Sequence, residues 1–206
     1  MLYETIKPAF FTVFLLIMIQ AGLTAQTNNN GLSPGFQITY FGRLFTHPGI
    51  KIGFSMPSIT NNKAYINGLP VKTTHQLYLN FNAGYYFHKG NHHGLFFSSE
   101  IAYRITFKSG WFFDVNAGGG YLRSVLNGSV FTVTENGLQN AGWFEGSNYF
   151  MPSFFLGFGR NSSNTEKKIK GWHTQLGAFW QYPFNGQYLL NPSFQFGMHN
   201  YSIKEK

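Results

Sequence analysis

The chain contains no cysteine, which excludes a disulfide framework and a lipid-anchoring cysteine. Charge is also scarce. Charged residues make up 11% of the sequence, against roughly 25% in an ordinary soluble domain. Acidic residues are the scarcer sign, 7 Asp and Glu against 15 Lys and Arg, for a formal net charge of +8. Long apolar runs are missing beyond one stretch near the start, and the mean hydropathy is −0.15. A bundle of membrane-spanning helices, each needing about 20 apolar residues, is therefore excluded. What the chain has instead is 24 Phe, 12 Tyr and 24 Gly. A soluble domain of this length would struggle to hide so many rings beneath so thin a charged coat. A closed sheet with one face toward lipid needs no such coat.

The one apolar run, FFTVFLLIMI at 10–19, follows Lys7 and precedes the small residues Ala21, Gly22 and Ala25. It is about half the length that spans a bilayer, so a cleaved export signal over 1–25 fits better than an anchor. Residues 26–35 are then expected to be a polar tether and 36–206 a single domain.

That domain alternates with a period of two. In 95–107 the odd positions run Leu95, Phe97, Ser99, Ile101, Tyr103, Ile105, Phe107, while the even ones include Ser98, Glu100, Arg104 and Thr106. Segments 76–88, 112–123 and 150–159 behave alike, and 36–45, 50–57, 172–183 and 189–202 less cleanly. This predicts about eight strands, each near the 9–11 residues that a tilted membrane strand requires. The fold expected is all-β, a closed antiparallel transmembrane barrel with rings outward and a small, polar lumen face. Glycines at 84, 118, 120, 157, 159, 177 and 197 suit a narrow interior filled by side chains.

Lys108-Ser109-Gly110 reads as a three-residue hairpin with glycine where a left-handed backbone is needed. Tight turns belong on the periplasmic side. That places links 58–73 and 161–170 there too, and 46–49, 89–93, 184–187 and the long 126–148 outside. If Phe107 faces Trp111, facing positions sum to 218, and Arg104 lies opposite Asp114 on the lumen side. Burial of charge demands pairing, so Arg104, Asp114 and Glu100 are expected as an internal charge cluster. Lys63, Lys72, Lys108, Lys167, Lys168, Lys170, Lys204 and Lys206 fall near the periplasmic rim, toward anionic head groups or an acidic periplasmic partner. Nucleic acid is not an expected partner of an exported barrel.

Candidate chemistry is thin. His88, His92 and His93 surround one outward link, but their spacing matches no specific metal motif, and a polar loop is expected with no metal or cofactor. His88 with Ser98 is the single pair that would suit a lipid-modifying hydrolase or acyltransferase; no catalytic residue is assigned. The expected role is a non-enzymatic structural, surface-binding or accessory barrel with a filled lumen. A lipid-modifying enzyme and a small-solute pore stand as alternatives. Trp143 and Phe144, in the outward link among Asn and Gly, are the expected contact with a partner.

The stretches GIKIGFSMP (49–57), HKGNHHGLFFSSEIAYRITFKSGWFFDVNAGGGYLRSVLNG (88–128), NYFMPSFFLGFGR (148–160) and FWQYPFNGQYLL (179–190) resemble the small outer-membrane barrel proteins of Bacteroidetes. In plan the chain is similar to the OmpX/OmpA-type eight-stranded barrels. That resemblance implies an outer-membrane location in a Gram-negative bacterium. A barrel placed there is expected to contact the lipid bilayer and lipopolysaccharide, and the accessory reading expects another outer-membrane or periplasmic protein as a partner. It implies no catalytic residues.

Overall fold

In a chain whose apolar residues alternate, a strand buries one face only, and a sheet of such strands leaves two open edges unless it closes. This sheet closes. The computed structural model describes residues 32–43, 47–60, 65–66, 69–70, 73–128, 130–134, 137–140, 142, 145–165 and 168–203. These hold thirteen strands and no helix: β1 (Leu32–Arg43), β2 (His47–Thr60), β3 (Tyr65–Ile66), β4 (Leu69–Pro70), β5 (Thr74–His88), β6 (His92–Thr106), β7 (Trp111–Leu126), β8 (Phe131–Thr134), β9 (Gly137–Asn140), β10 (Gly146–Phe150), β11 (Ser153–Thr165), β12 (Lys168–Phe184) and β13 (Gln187–Ile203). Eight of them form a ring in the order β1, β2, β5, β6, β7, β11, β12, β13, with β13 pairing back onto β1. Phe36 pairs with Asn200 and Lys168 with Ser202 across the two closing ladders.

β10 lies in line with β11, because Phe150 pairs with both Tyr121 of β7 and Tyr182 of β12. Pro152, which has no N–H to donate, marks the break between them. Around it Met151 N–H donates to the Gly120 carbonyl at 2.8 Å and Trp180 N–H to the Pro152 carbonyl at 2.9 Å, so the ring stays bonded. β3 with β4, and β8 with β9, are separate two-stranded hairpins in the links.

Strands run longer than the alternation predicts. β1 begins at Leu32, inside the expected tether. The expected link 161–170 is largely ladder, with Asn161 paired to Gly171 and Ser163 to Ile169. Polar side chains do not end a strand whose backbone is bonded on both sides; alternation marks only the part of it whose two faces differ in polarity. Residues 1–31, the whole expected export signal among them, lie outside the described residues.

The faces divide as the alternation predicts. Phe36, Ile52, Phe97, Phe113, Leu176 and Met198 point outward and are each more than half exposed. Lys51, Gln76, Asn82, Glu100, Arg104, Asp114, Asn191 and Gln195 point inward and are buried. The expectation of a small, polar lumen needs one correction. Phe41, Tyr86, Phe96, Leu122, Met151, Phe155 and Phe179 pack together inside the barrel near one end. Tyr78, Ala102, Ile169 and Tyr201 form a second apolar layer near the other. Interiors pack to crystal-like density, and in this one the inward glycines provide room for rings. A Cβ at Gly84 would strike the Phe96 ring, and one at Gly94 the Tyr86 ring.

The two ends differ. The end with Arg43, His47, His88, His92, Leu126 and Gln187 carries the long link 126–148; we call it the loop end. The opposite end carries the three-residue turn after β6, where Gly110 adopts φ 83°. There Phe107 N–H donates to the Trp111 carbonyl at 2.8 Å.

Close packing over glycine makes one outcome definite. At Gly177 a Cβ would press on the Phe154 carbonyl oxygen and lie 2.7 Å from the Phe155 Cα, both backbone atoms that cannot step aside. Gly177→Val should lower stability by about 1–3 kcal/mol. Outward Gly119→Ala, which meets only the edge of the Phe150 ring at 3.3 Å, should cost less. Urea unfolding followed by tryptophan fluorescence distinguishes the two.

Candidate functional site

β6 and β7 are joined by the tight turn, and their ladder pairs Arg104 with Asp114. Both side chains face inward. Arg104 Nη2 donates to Asp114 Oδ2 at 2.7 Å, with side-chain exposures of 7% and 1%. Asn116 Nδ2 donates to the other carboxylate oxygen at 3.1 Å. On the next strand Gly157 is the register partner of Asp114, and a Cβ there would collide with Oδ1. The guanidinium stacks 3.9 Å from the Phe112 ring centroid and 5.0 Å from that of Tyr78. One ion pair and the faces of two rings thus stabilise the buried guanidinium, while its Nε is left without a hydrogen-bond partner among the described residues.

Glu100 was expected in the same cluster. It is buried and inward, but among the described residues it forms no ion pair with Arg104. Four residues along a strand amount to roughly 13 Å, beyond the reach of either side chain. Lys51 is the buried cation that the sequence argument passed over; its Nζ lies 5.8 Å from the Phe155 ring centroid. The alternation of 50–57, with Ile50, Ile52, Phe54 and Met56 outward, already assigns Lys51 to the lumen. Among the described residues, the buried Lys and Arg side chains (Lys51 and Arg104) equal the buried Asp and Glu side chains (Asp114 and Glu100) in number.

Two histidines of the less regular segments also turn inward. His173 Nε2 and Thr39 Oγ1 are 3.2 Å apart, His173 and His199 meet Nδ1 to Nδ1 at 3.4 Å, and His199 Nε2 lies 2.9 Å from Asn161 Oδ1. This chain ties β1, β12, β13 and β11 together across the lumen. It is a network of hydrogen bonds and ring packing within the lumen.

The pair His88 and Ser98 is not assembled. Asn82 Nδ2 donates to Ser98 Oγ at 3.4 Å, and His88 lies six residues further along β5, roughly 20 Å away. A hydrolytic set built on them is overturned by that spacing. His88 instead meets His47 and His92, with ring centroids 3.9 and 5.3 Å away, and His93 turns outward against Tyr85 at 5.8 Å. Trp143 and Phe144 lie outside the described residues. Neighbouring them in the same link, Phe131, Val133 and Leu138 on the β8–β9 hairpin are exposed, Val133 by 85%. Of the basic rim, Lys108, Lys168 and Lys170 are described; all are exposed at the tight-turn end.

No family model and no curated protein sequence matches the chain. Among solved structures, the N-terminal β-barrel domain of Pseudomonas aeruginosa OprF is similar at 14% identity, covering 83% of this chain and 98% of that one, with a TM-score of 0.39.

The Arg104–Asp114 pair yields a double-mutant test. Asp114→Ala leaves a buried guanidinium without its counter-ion and should cost about 3–5 kcal/mol, as should Arg104→Ala. Arg104→Met combined with Asp114→Leu should lose less than either single change. Chemical denaturation of the four proteins measures the coupling.

Proposed function

We propose that this protein is an integral outer-membrane barrel of a Gram-negative bacterium, non-enzymatic and closed to solutes, that holds its loop end at the cell surface for contact with a partner. The observation that carries the proposal is the inversion of burial on a closed ring. The outward face is apolar on every ring strand, from Ile38 on β1 to Phe196 on β13, while the inward face holds the buried charges and amides. In water that arrangement wastes the apolar surface. In lipid it is the arrangement required, since a bilayer offers no partner to an open edge and rejects outward charge.

Aromatic residues border the apolar band at both levels. Trp111 and Trp172 meet edge to face at 5.6 Å near the tight-turn end, and Tyr182 and Tyr188 stack at 4.4 Å near the loop end. Such rings favour the bilayer–water interface. Tight turns support a periplasmic placement of their end, where Lys108, Lys168 and Lys170 would lie beside anionic head groups. The loop end would then face outward, with lipopolysaccharide around it.

Two apolar layers across the lumen, one at each end of the polar zone, favour a plugged barrel over a pore. Exposed Phe131, Val133 and Leu138 on a hairpin clear of the ring favour a partner-binding role, since a soluble surface gains nothing from them.

The protein should be extractable only with detergent, and its unboiled form should migrate faster on a denaturing gel than its boiled form. Reconstituted in a planar bilayer, it should give no single-channel steps. Recovery as a detergent-free soluble protein would contradict the membrane assignment, and reproducible conductance would contradict the closed lumen.

A further inference from the structure

We propose that His47, His88 and His92 form a binding site for one divalent transition-metal ion of the zinc, nickel or copper class, at the loop end of the lumen. Each imidazole comes from a different strand. His47 is the first residue of β2, His88 the last of β5 and His92 the first of β6. The ladders set them in one row. Gly49 pairs with Tyr86, so the next inward step along β2 and β5 brings 47 beside 88, and His88 pairs directly with His92. Adjacent strands lie about 4.8 Å apart, a spacing that lets neighbouring imidazoles bracket an ion.

One ring nitrogen from each histidine lies within 4.8 Å of the other two. A tetrahedral site with metal–nitrogen bonds of about 2.0–2.1 Å needs nitrogen separations of roughly 3.4 Å. The rings therefore need to close by no more than about 1.4 Å, which small side-chain rotations provide on a backbone fixed by two ladders. Nδ1 of His88 is buried with no hydrogen-bond partner among the described residues. Such atoms are uncommon in folded proteins and call for a ligand, a proton partner or water.

The donor set selects the ion. Three imidazoles and no carboxylate suit zinc, nickel and copper, and do not suit calcium or magnesium, which prefer oxygen. Tyr86 floors the site, with its ring 5.9 Å from both His47 and His92, and continues into the apolar plug below. Approach is thus from the loop end, where a water or a partner's donor can take the fourth position. Arg43 continues the row on β1 as the register partner of His47. Its charge opposes the ion and weakens the site relative to one with only neutral neighbours. His93 takes no part, because it faces outward.

The proposal is independent of where the barrel resides. Tag-free protein, folded in detergent and stripped with a chelator, is dialysed against Zn2+ near neutral pH and the bound metal measured. One ion per chain is expected. His47→Ala and His92→Ala should each weaken binding by at least about tenfold, since loss of mere outer-shell partners costs that much; His93→Ala should leave it unchanged. Heat-modifiable migration identifies any variant that has not folded, and His47→Gln then replaces it. On the wild-type protein, Cu2+ paramagnetic resonance should show hyperfine coupling from three imidazole nitrogens. Absence of a stoichiometric ion in the wild type, or unchanged affinity in folded His47 and His92 variants, would overturn the site.

Discussion

Backbone hydrogen bonding decides what the rest of this molecule can be. A strand left at an edge exposes a row of N–H and C=O groups. Here the β12–β13 and β13–β1 ladders remove the edge, and the interruption at Pro152 is bridged by bonds from Met151 and Trp180. With closure fixed, each side chain on the ring has one of two destinations, outside or lumen, and period-two alternation assigns it. Phe97 and Ile101 go out; Ser98, Glu100 and Arg104 go in.

Narrowness then governs the interior. Eight strands enclose space for side chains and little more. Among the described residues, the buried Lys and Arg there, Lys51 and Arg104, equal the buried Glu and Asp, Glu100 and Asp114, in number. Rings placed there need glycine beside them, as Phe96 has Gly84 and Tyr86 has Gly94. The outcome is a polar zone between two apolar layers. Among the described residues, exposed apolar groups off the ring lie on the β8–β9 hairpin, and the histidine row lies at the same end.

Alternation made the outward faces, the tight turn at Gly110 and the pairing of Arg104 with Asp114 legible in the sequence, because each depends on local period and one short turn. Strand ends were less legible: Asn161 to Thr165 is polar throughout, yet it is ladder. The aromatic plug was hidden because Tyr86 and Phe96 look like departures from the polar face until the space beside Gly84 and Gly94 is known. The histidine row was half visible. His88 and His92 flank one turn, but His47 comes from another hairpin, and the β2–β5 register alone brings it in place of His93. Glu100 fell out of the charge cluster for a metrical reason, since four residues of strand exceed the reach of its side chain.

The central claim is that the ring turns its apolar face to lipid on every strand. A chain without cysteine permits single spin labels to be placed at will, for example at Ile38, Ile52, Phe81, Phe97, Val115, Leu156, Leu176 and Met198, one on each ring strand. In reconstituted bilayers, collisional relaxation by oxygen, which concentrates in lipid, should exceed that by a water-soluble nickel complex at all of these positions. Dominant relaxation by the nickel complex, or lipid contact confined to one side of the ring, would contradict the account.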